Sequence, residues 1–259
     1  MSPTAVIFAC LAVSIVVMTG LWAISLVLRD SSIVDIWWGA GFVVLAWTAW
    51  ALAGAGSGGG LLACVLVSIW GLRLSIHLAR RNIGKGEDPR YVAMRAKAGS
   101  AWPMRSLYMV FWLQGAIMWI VCLPVLATVA SGNQAEPLIA IVGSAVFAVG
   151  FCFETVGDWQ LTKFKADPGN SGKVMNIGLW RYTRHPNYFG DATVWWGLWL
   201  IAVSAGAWWT VIGPALINFM LVRVSGKALL EKGMAETRPG YADYVSRTSG
   251  FFPLPPKRS

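Results

Sequence analysis

Long apolar runs separated by short polar segments organise this chain. Runs of this length, without the alternation of a half-buried strand, predict membrane-spanning helices, each needing roughly 20 apolar residues. Seven are expected, over about 5–28, 33–53, 60–79, 107–130, 137–157, 191–205 and 206–224. The last two form one stretch too long for a single crossing, and Ala205-Gly206-Ala207 near its middle predicts a tight turn between them. The expected fold is all-α: one polytopic transmembrane domain over residues 1–259.

Composition agrees with that pattern. Of 259 residues, 56% are hydrophobic, and the charged ones number only 21 Lys and Arg plus 12 Asp and Glu. These proportions exclude a secreted domain, a disordered chain and a soluble nucleic-acid binder, although the net charge of +9 taken alone would suggest the last. The charge reads instead as a topology signal. With seven crossings, every Lys and Arg lies at the turn at Arg29, in 80–106, in 158–190 or in the tail from Arg223, except Arg73 inside the third span. The positive-inside rule then puts the N-terminus outside and the C-terminus in the cytoplasm. The first run, Ala5 to Leu28, is too long for the core of a cleavable signal and reads as the first span.

Some features carry no chemistry. Cys10, Cys64, Cys122 and Cys152 lie far apart in apolar runs with no metal-ligand spacing, so they read as buried packing residues and no metal is expected. Gly54, Gly56 and Gly59 spell the dinucleotide fingerprint, but a turn between two spans lacks the strand and helix that motif needs.

Ionisable residues in spans are costly, and each is a candidate for function. Arg73, His77 and Arg81 recur at intervals of four and share a helical face, with Arg80 close by. Glu154 and Asp158 are also four apart. They read either as a structural ion pair or as acceptors for ribose hydroxyls and amides, with Lys163 and Lys165 on the following turns. Asp35 follows Ser32 in an S-x-x-D pattern that predicts a helix cap, while its position at the mouth of the bundle keeps a catalytic role open. The densest group runs from Gly178 to Asp191. Pro186 makes His185 extended, so Asn187, Tyr188 and Asp191 fall in the first turns of a helix, beside Arg181 and Arg184, an arrangement that suits a phosphate.

That run, together with Asp35, Trp38 and Gly39, the segment Trp70 to Leu74, the segment ending in Arg90-Tyr91, and Glu231 with Tyr241 and Tyr244, resembles bacterial members of the steroid 5α-reductase family. The resemblance covers nearly the whole chain. It implies seven helices, NADPH as cofactor and a hydrophobic, steroid-like substrate reached through the lipid bilayer. By matching position it implies that Asn187, Tyr188 and Asp191 hold the nicotinamide end. Asp158, Lys165 and Arg223 fall where that family contacts the nucleotide and phosphates, with Arg73, Arg81, Tyr182, Arg184, His185 and Lys227 as further contacts, and the Glu154 and Asp158 pair moves towards function. The chain departs from the animal enzymes, whose Gln-Glu pair and Tyr grip the substrate ketone. Here Asp35 lies near the first position and Trp70 at the second, leaving Asp35 and then Tyr91 as candidate proton donors. For Asp35 to donate, it must keep its proton at neutral pH. The implied reaction is hydride transfer to the β-carbon of a Δ4-3-oxo steroid or similar enone. The alternatives are a methyltransferase using S-adenosylmethionine, similar to the isoprenylcysteine carboxyl methyltransferases, and a non-catalytic lipid-binding or transport protein.

Overall fold

The computed structural model describes residues 1–54, 58–224, 231, 233–234 and 237–257. Among the described residues the fold is all-helical, with no β-strand. Five helices are long and apolar enough to cross a membrane: Pro3–Leu28, Ile33–Ala53, Gly58–Asn82, the continuous helical run Pro89–Ser131, and Pro137–Ala166. We label the first three α1, α2 and α3. The fourth run comprises α4 (Pro89–Ala98), α5 (Trp102–Ser106), a π-helical turn over Leu107–Trp112 and α6 (Leu113–Ser131). Then follow α7 (Pro137–Ala166), α8 (Pro186–Ser204), α9 (Ile212–Phe219) and a short α10 (Tyr241–Arg247). Trp208–Val224 is apolar but shorter than the five.

Local chemistry sets the boundaries. Pro3 opens α1 while the Ser2 hydroxyl accepts the Ala5 N–H, and Arg29 closes it in the left-handed region at φ 55°, its N–H returned to the Ser25 carbonyl. Between α8 and Trp208 the chain turns at Ala205-Gly206, where Gly206 takes φ 85° and the Ala207 N–H closes onto the Ala202 carbonyl at 2.8 Å. The turn predicted there is present. Of the glycine decoy, Gly54 ends α2 and Gly59 lies in α3, while Gly56 lies outside the described residues.

The chain divides into two compact units: Met1–Ala140 with Ile201–Gly213, and Ile141–Leu200 with Pro214–Ser259. In the first, α1, α2, α3 and α6 pack together. Backbones meet where side chains are absent: any Cβ on Gly39 would collide with the Gly71 carbonyl, and the reverse holds for Gly71. The same crossing is tied by the Ala40 N–H donating to Ser75 Oγ at 2.8 Å, and α1 is tied to α6 by the Ser14 hydroxyl on the Gly115 carbonyl at 3.0 Å. Cys10, Cys64 and Cys122 are buried in this unit as expected, whereas Cys152 in the second unit is exposed and packs no core.

The second unit is built on one helix pair. Gly143, Gly150 and Gly157 recur every seven residues on α7, and Gly190 and Gly197 do so on α8. A Cβ on Gly150 would lie 2.5 Å from the Val194 nitrogen, and one on Gly197 would lie 2.5 Å from the Phe147 nitrogen and 2.8 Å from the Gly143 carbonyl oxygen. Helices in lipid associate by close packing of this kind, because hydrocarbon offers no hydrophobic drive between them. The seam ends at Gly157, against Pro186 and the Asn187 nitrogen, and so brings the start of α8 beside Asp158.

Gly197→Ala is expected to overpack this seam and cost about 1–3 kcal/mol. Gly20→Ala on α1, where nothing lies within 4 Å, should be neutral or gain up to about 1 kcal/mol. Thermal unfolding of both variants in detergent checks this, and equal melting temperatures would count against the seam.

Candidate functional site

Both units carry polar clusters. In the first unit the turn after α3 is lashed to the turn after α1. The Ser31 N–H donates to Glu87 Oε1 at 2.7 Å, Arg95 bonds both Glu87 oxygens, and the Asp88 N–H reaches Ser32 Oγ at 3.3 Å. Asp88 then caps α4 by accepting the Arg90 N–H, with Pro89 at its first position. This stitching places Arg90 and Tyr91 over Asp35. Arg90 donates to Asp35 Oδ2 at 2.9 Å, and the buried Tyr91 hydroxyl donates to Asp35 Oδ1 at 2.7 Å.

The chain of bonds continues inward. Gln114 Nε2 donates to the Tyr91 oxygen at 3.3 Å, and Trp38 Nε1 donates to Gln114 Oε1 at 2.5 Å. Every proton in this series has an assigned direction: an indole N–H can only donate, which makes the amide oxygen the acceptor and turns the amide nitrogen to the phenol. Asp35 therefore accepts at both oxygens and donates at neither. The helix-cap reading of Asp35 does not hold. Ser32 makes no side-chain cap bond at the start of α2, because its hydroxyl is drawn to Asp30 Oδ1 at 2.5 Å.

In the second unit Asn187 Nδ2 donates to Asp158 Oδ1 at 3.1 Å, and Asp158 and Glu154 are both buried. The other end of the amide, Asn187 Oδ1, is shielded from solvent and has no hydrogen-bond partner among the described residues. A buried acceptor left unfilled costs roughly 1–3 kcal/mol, so this atom marks a place where a donor is wanted. The loop before α8 is pinned to α7 next to this pair: Trp180 Nε1 donates to the Gly157 carbonyl at 3.1 Å and the Leu179 N–H to Gln160 Oε1 at 3.0 Å.

Arg184 and His185, expected beside a phosphate, meet an anion of the chain's own. Arg184 forks onto both Glu231 oxygens at 2.9 and 3.2 Å, and His185 Nε2 lies 3.0 Å from Glu231 Oε1. Arg184 also donates to the Thr248 and Val245 carbonyls, while its N–H bonds the Ser249 carbonyl. The tail closes over the loop through the Thr183 hydroxyl on the Phe251 carbonyl and the Leu254 N–H on the Tyr182 carbonyl. Tyr188 stacks on His185 at 5.4 Å between ring centres. Burial alone would raise the Glu231 carboxyl, but hydrogen bonds from His185 and Arg184 and the guanidinium charge outweigh it and bring it down to about 2.

Of the other candidates, Arg73 and His77 are half-buried on α3, and Arg81 is exposed with its Nε on Asn82 Oδ1 at 3.0 Å. Lys165, Tyr182 and Arg223 are exposed, Asp191 is half-buried, and Lys227 lies outside the described residues. Sequence reasoning did not single out Gln114 or assign a role to Arg90. Gln114 had a usable signal, being the lone side-chain amide in the apolar run 107–130. Among the described residues no three His, Cys, Asp or Glu gather as a metal would require.

Comparison with known proteins adds family but little chemistry. Residues 21–248 match the family described as "Protein of unknown function (DUF1295)". A protein of Schizosaccharomyces pombe described as uncharacterised is 24% identical over 74% of this chain and 63% of its own length. A protein of Ustilaginoidea virens described as a probable O-methyltransferase is 34% identical over 37% of this chain and 31% of its own length. The chain thus spans less than two thirds of each of these relatives. No solved structure matches it.

The Glu231 clasp predicts a pH dependence. A carboxyl lowered from 4.5 to about 2 in the fold contributes stability that is full above about pH 4.5 and is lost as pH falls through about 2. The melting temperature of the intact chain should therefore exceed that of Glu231→Gln at neutral pH, and the gap should close on acidification. A gap that stays constant down to pH 2 would contradict the clasp.

Proposed function

We propose that this chain, which belongs to the family described as a protein of unknown function, DUF1295, is an NADPH-dependent membrane reductase that saturates a conjugated ketone such as a Δ4-3-oxo steroid. The observation that carries this reading is the Tyr91 hydroxyl, a buried acid held between a carboxylate and an amide. Reducing an enone requires a hydride at the β-carbon, an acid at the oxygen, where negative charge develops, and a proton at the α-carbon, gained as the resulting enol returns to the ketone. NADPH, when bound, supplies the hydride. Because Asp35 accepts at both oxygens, Tyr91 is the better of the two candidate donors. Its proton is the one mobile hydrogen of the network and is free to turn from Asp35 Oδ1 to a ligand oxygen. The Gln114 N–H on the phenol oxygen stabilises the charge left when that proton departs, and Arg90 holds the Asp35 carboxyl in place through Oδ2.

The residues of the second unit fit the cofactor. The open Asn187 acceptor suits the N–H of a carboxamide, with Asp158 orienting the Asn187 side chain from its other end. Glu154, Tyr188 and Asp191 would complete the nicotinamide side. Lys165, Arg223 and Lys227 would meet phosphates, with Tyr182 as a further contact. Arg184 and His185 would act by holding the tail against the loop. In this reading α8 and Trp208–Val224 are the sixth and seventh crossings, the N-terminus is outside, and the substrate is drawn from the lipid of a bacterial cytoplasmic membrane.

The second reading is a methyltransferase using S-adenosylmethionine, favoured by the partial match to a protein described as a probable O-methyltransferase. Charge separates the two readings: NADPH brings phosphates to the basic residues and S-adenosylmethionine brings none.

With the protein purified in detergent, loss of NADPH absorbance should depend on added progesterone or testosterone. Tyr91→Phe should lower turnover about 100-fold or more while leaving the NADPH-induced thermal shift intact. Asn187→Ala should shrink that shift. Wild-type turnover in Tyr91→Phe would remove the phenol from the mechanism, and a thermal shift with S-adenosylmethionine but none with NADPH would favour the methyltransferase.

A further inference from the structure

The tail and the loop after α7 enclose a groove of about 950 Å³ that the reductase chemistry does not use. Lys173 and Arg181 line one wall, and Arg247 and Lys257 the other. All four are exposed, and among the described residues the lining holds a single acid, Asp243, already paired with Arg247. Among the described residues, four cations against one anion give the groove a net positive charge.

The walls are fixed from behind. Tyr244 donates its hydroxyl to the Trp180 carbonyl at 2.5 Å, and the Lys257 N–H bonds the Arg247 carbonyl at 3.0 Å. Arg238 reaches across to the Lys173 carbonyl at 3.2 Å, and the Leu254 N–H holds the Tyr182 carbonyl at 3.0 Å. The cations are therefore presented by a preformed backbone frame, so less ordering is needed when an anion enters. Apolar side chains accompany them: Ile177, in the lining, is 62% exposed, and Phe252 and Leu254 on the tail are likewise exposed. Cations beside exposed apolar groups are the composition of a surface that meets lipid headgroups.

We propose that this groove binds a phosphate-bearing anion, the headgroup of an acidic phospholipid or a free phosphate of the same charge. The proposal does not rest on the reductase reading, since none of its four cations is assigned to NADPH.

The test uses the full chain in detergent, mixed with phosphatidylglycerol or phosphatidylcholine and read by native mass spectrometry. The wild type should retain a phosphatidylglycerol that it does not retain as phosphatidylcholine. The double variant Arg181→Glu, Lys257→Glu should lose that one adduct, weakening its binding about tenfold or more. Lys173→Glu should weaken it in the same direction. All three side chains are exposed, so the variants should keep the wild-type melting temperature, which is measured alongside. Displacement of the adduct by inorganic phosphate would show that the groove reads phosphate from either source, and retention against excess phosphate would assign it to lipid. Equal retention by the wild type and the charge-reversed variants, or equal retention of the two lipids, would overturn the proposal.

Discussion

Close contact of bare backbone at glycine is the constraint on which the Asp35 and Asn187 clusters depend. In hydrocarbon, apolar side chains gain nothing by leaving lipid for protein, so helices hold together by packing and by the hydrogen bonds that packing permits. On α7 and α8 the glycines recur every seven residues, and one seam runs from Gly143 and Gly197 to Gly157 and Pro186. Asp158 follows Gly157 and Asn187 follows Pro186, so their 3.1 Å bond is a consequence of the seam. In the other unit the mutual exclusion of side chains at Gly39 and Gly71 fixes α2 against α3 one turn beyond Asp35.

Given those positions, the polar groups settle one another. Trp38, Gln114, Tyr91, Asp35 and Arg90 form a series in which each donor finds an acceptor, and the indole at one end orients the amide that meets the phenol. The series is directional, because reversing the Gln114 amide would leave the indole without an acceptor. The Asn187 amide is its counterpart with one end satisfied and one open. The contrast is between a phenol that can exchange one acceptor for another and an amide oxygen that has no donor among the described residues.

Charge follows the same economy. The basic loop before α8 looks in sequence like an anion site, yet Arg184 and His185 are committed to Glu231 and to the carbonyls of the tail. Five helices long and apolar enough to cross a membrane were legible, because runs such as Ala5 to Leu28 have only one stable use, and so was the turn at Gly206. The partners were not. Gln114 sits 23 residues from Tyr91 and Glu231 sits 47 from Arg184, separations that no local pattern encodes. Ser32 failed as a cap because Asp30, two residues away, competes for its hydroxyl. The glycine spacing was not singled out in the sequence, because a heptad of glycines acquires meaning only once a second helix with the same period is known to face it.

The reductase account turns on where a hydride goes. Purified protein supplied with NADPH deuterated at the transferable position and a Δ4-3-oxo steroid should yield a dihydro product one mass unit heavier, with the label on the β-carbon. An unlabelled product, or no reduced product alongside methyl transfer from S-adenosylmethionine, would contradict it.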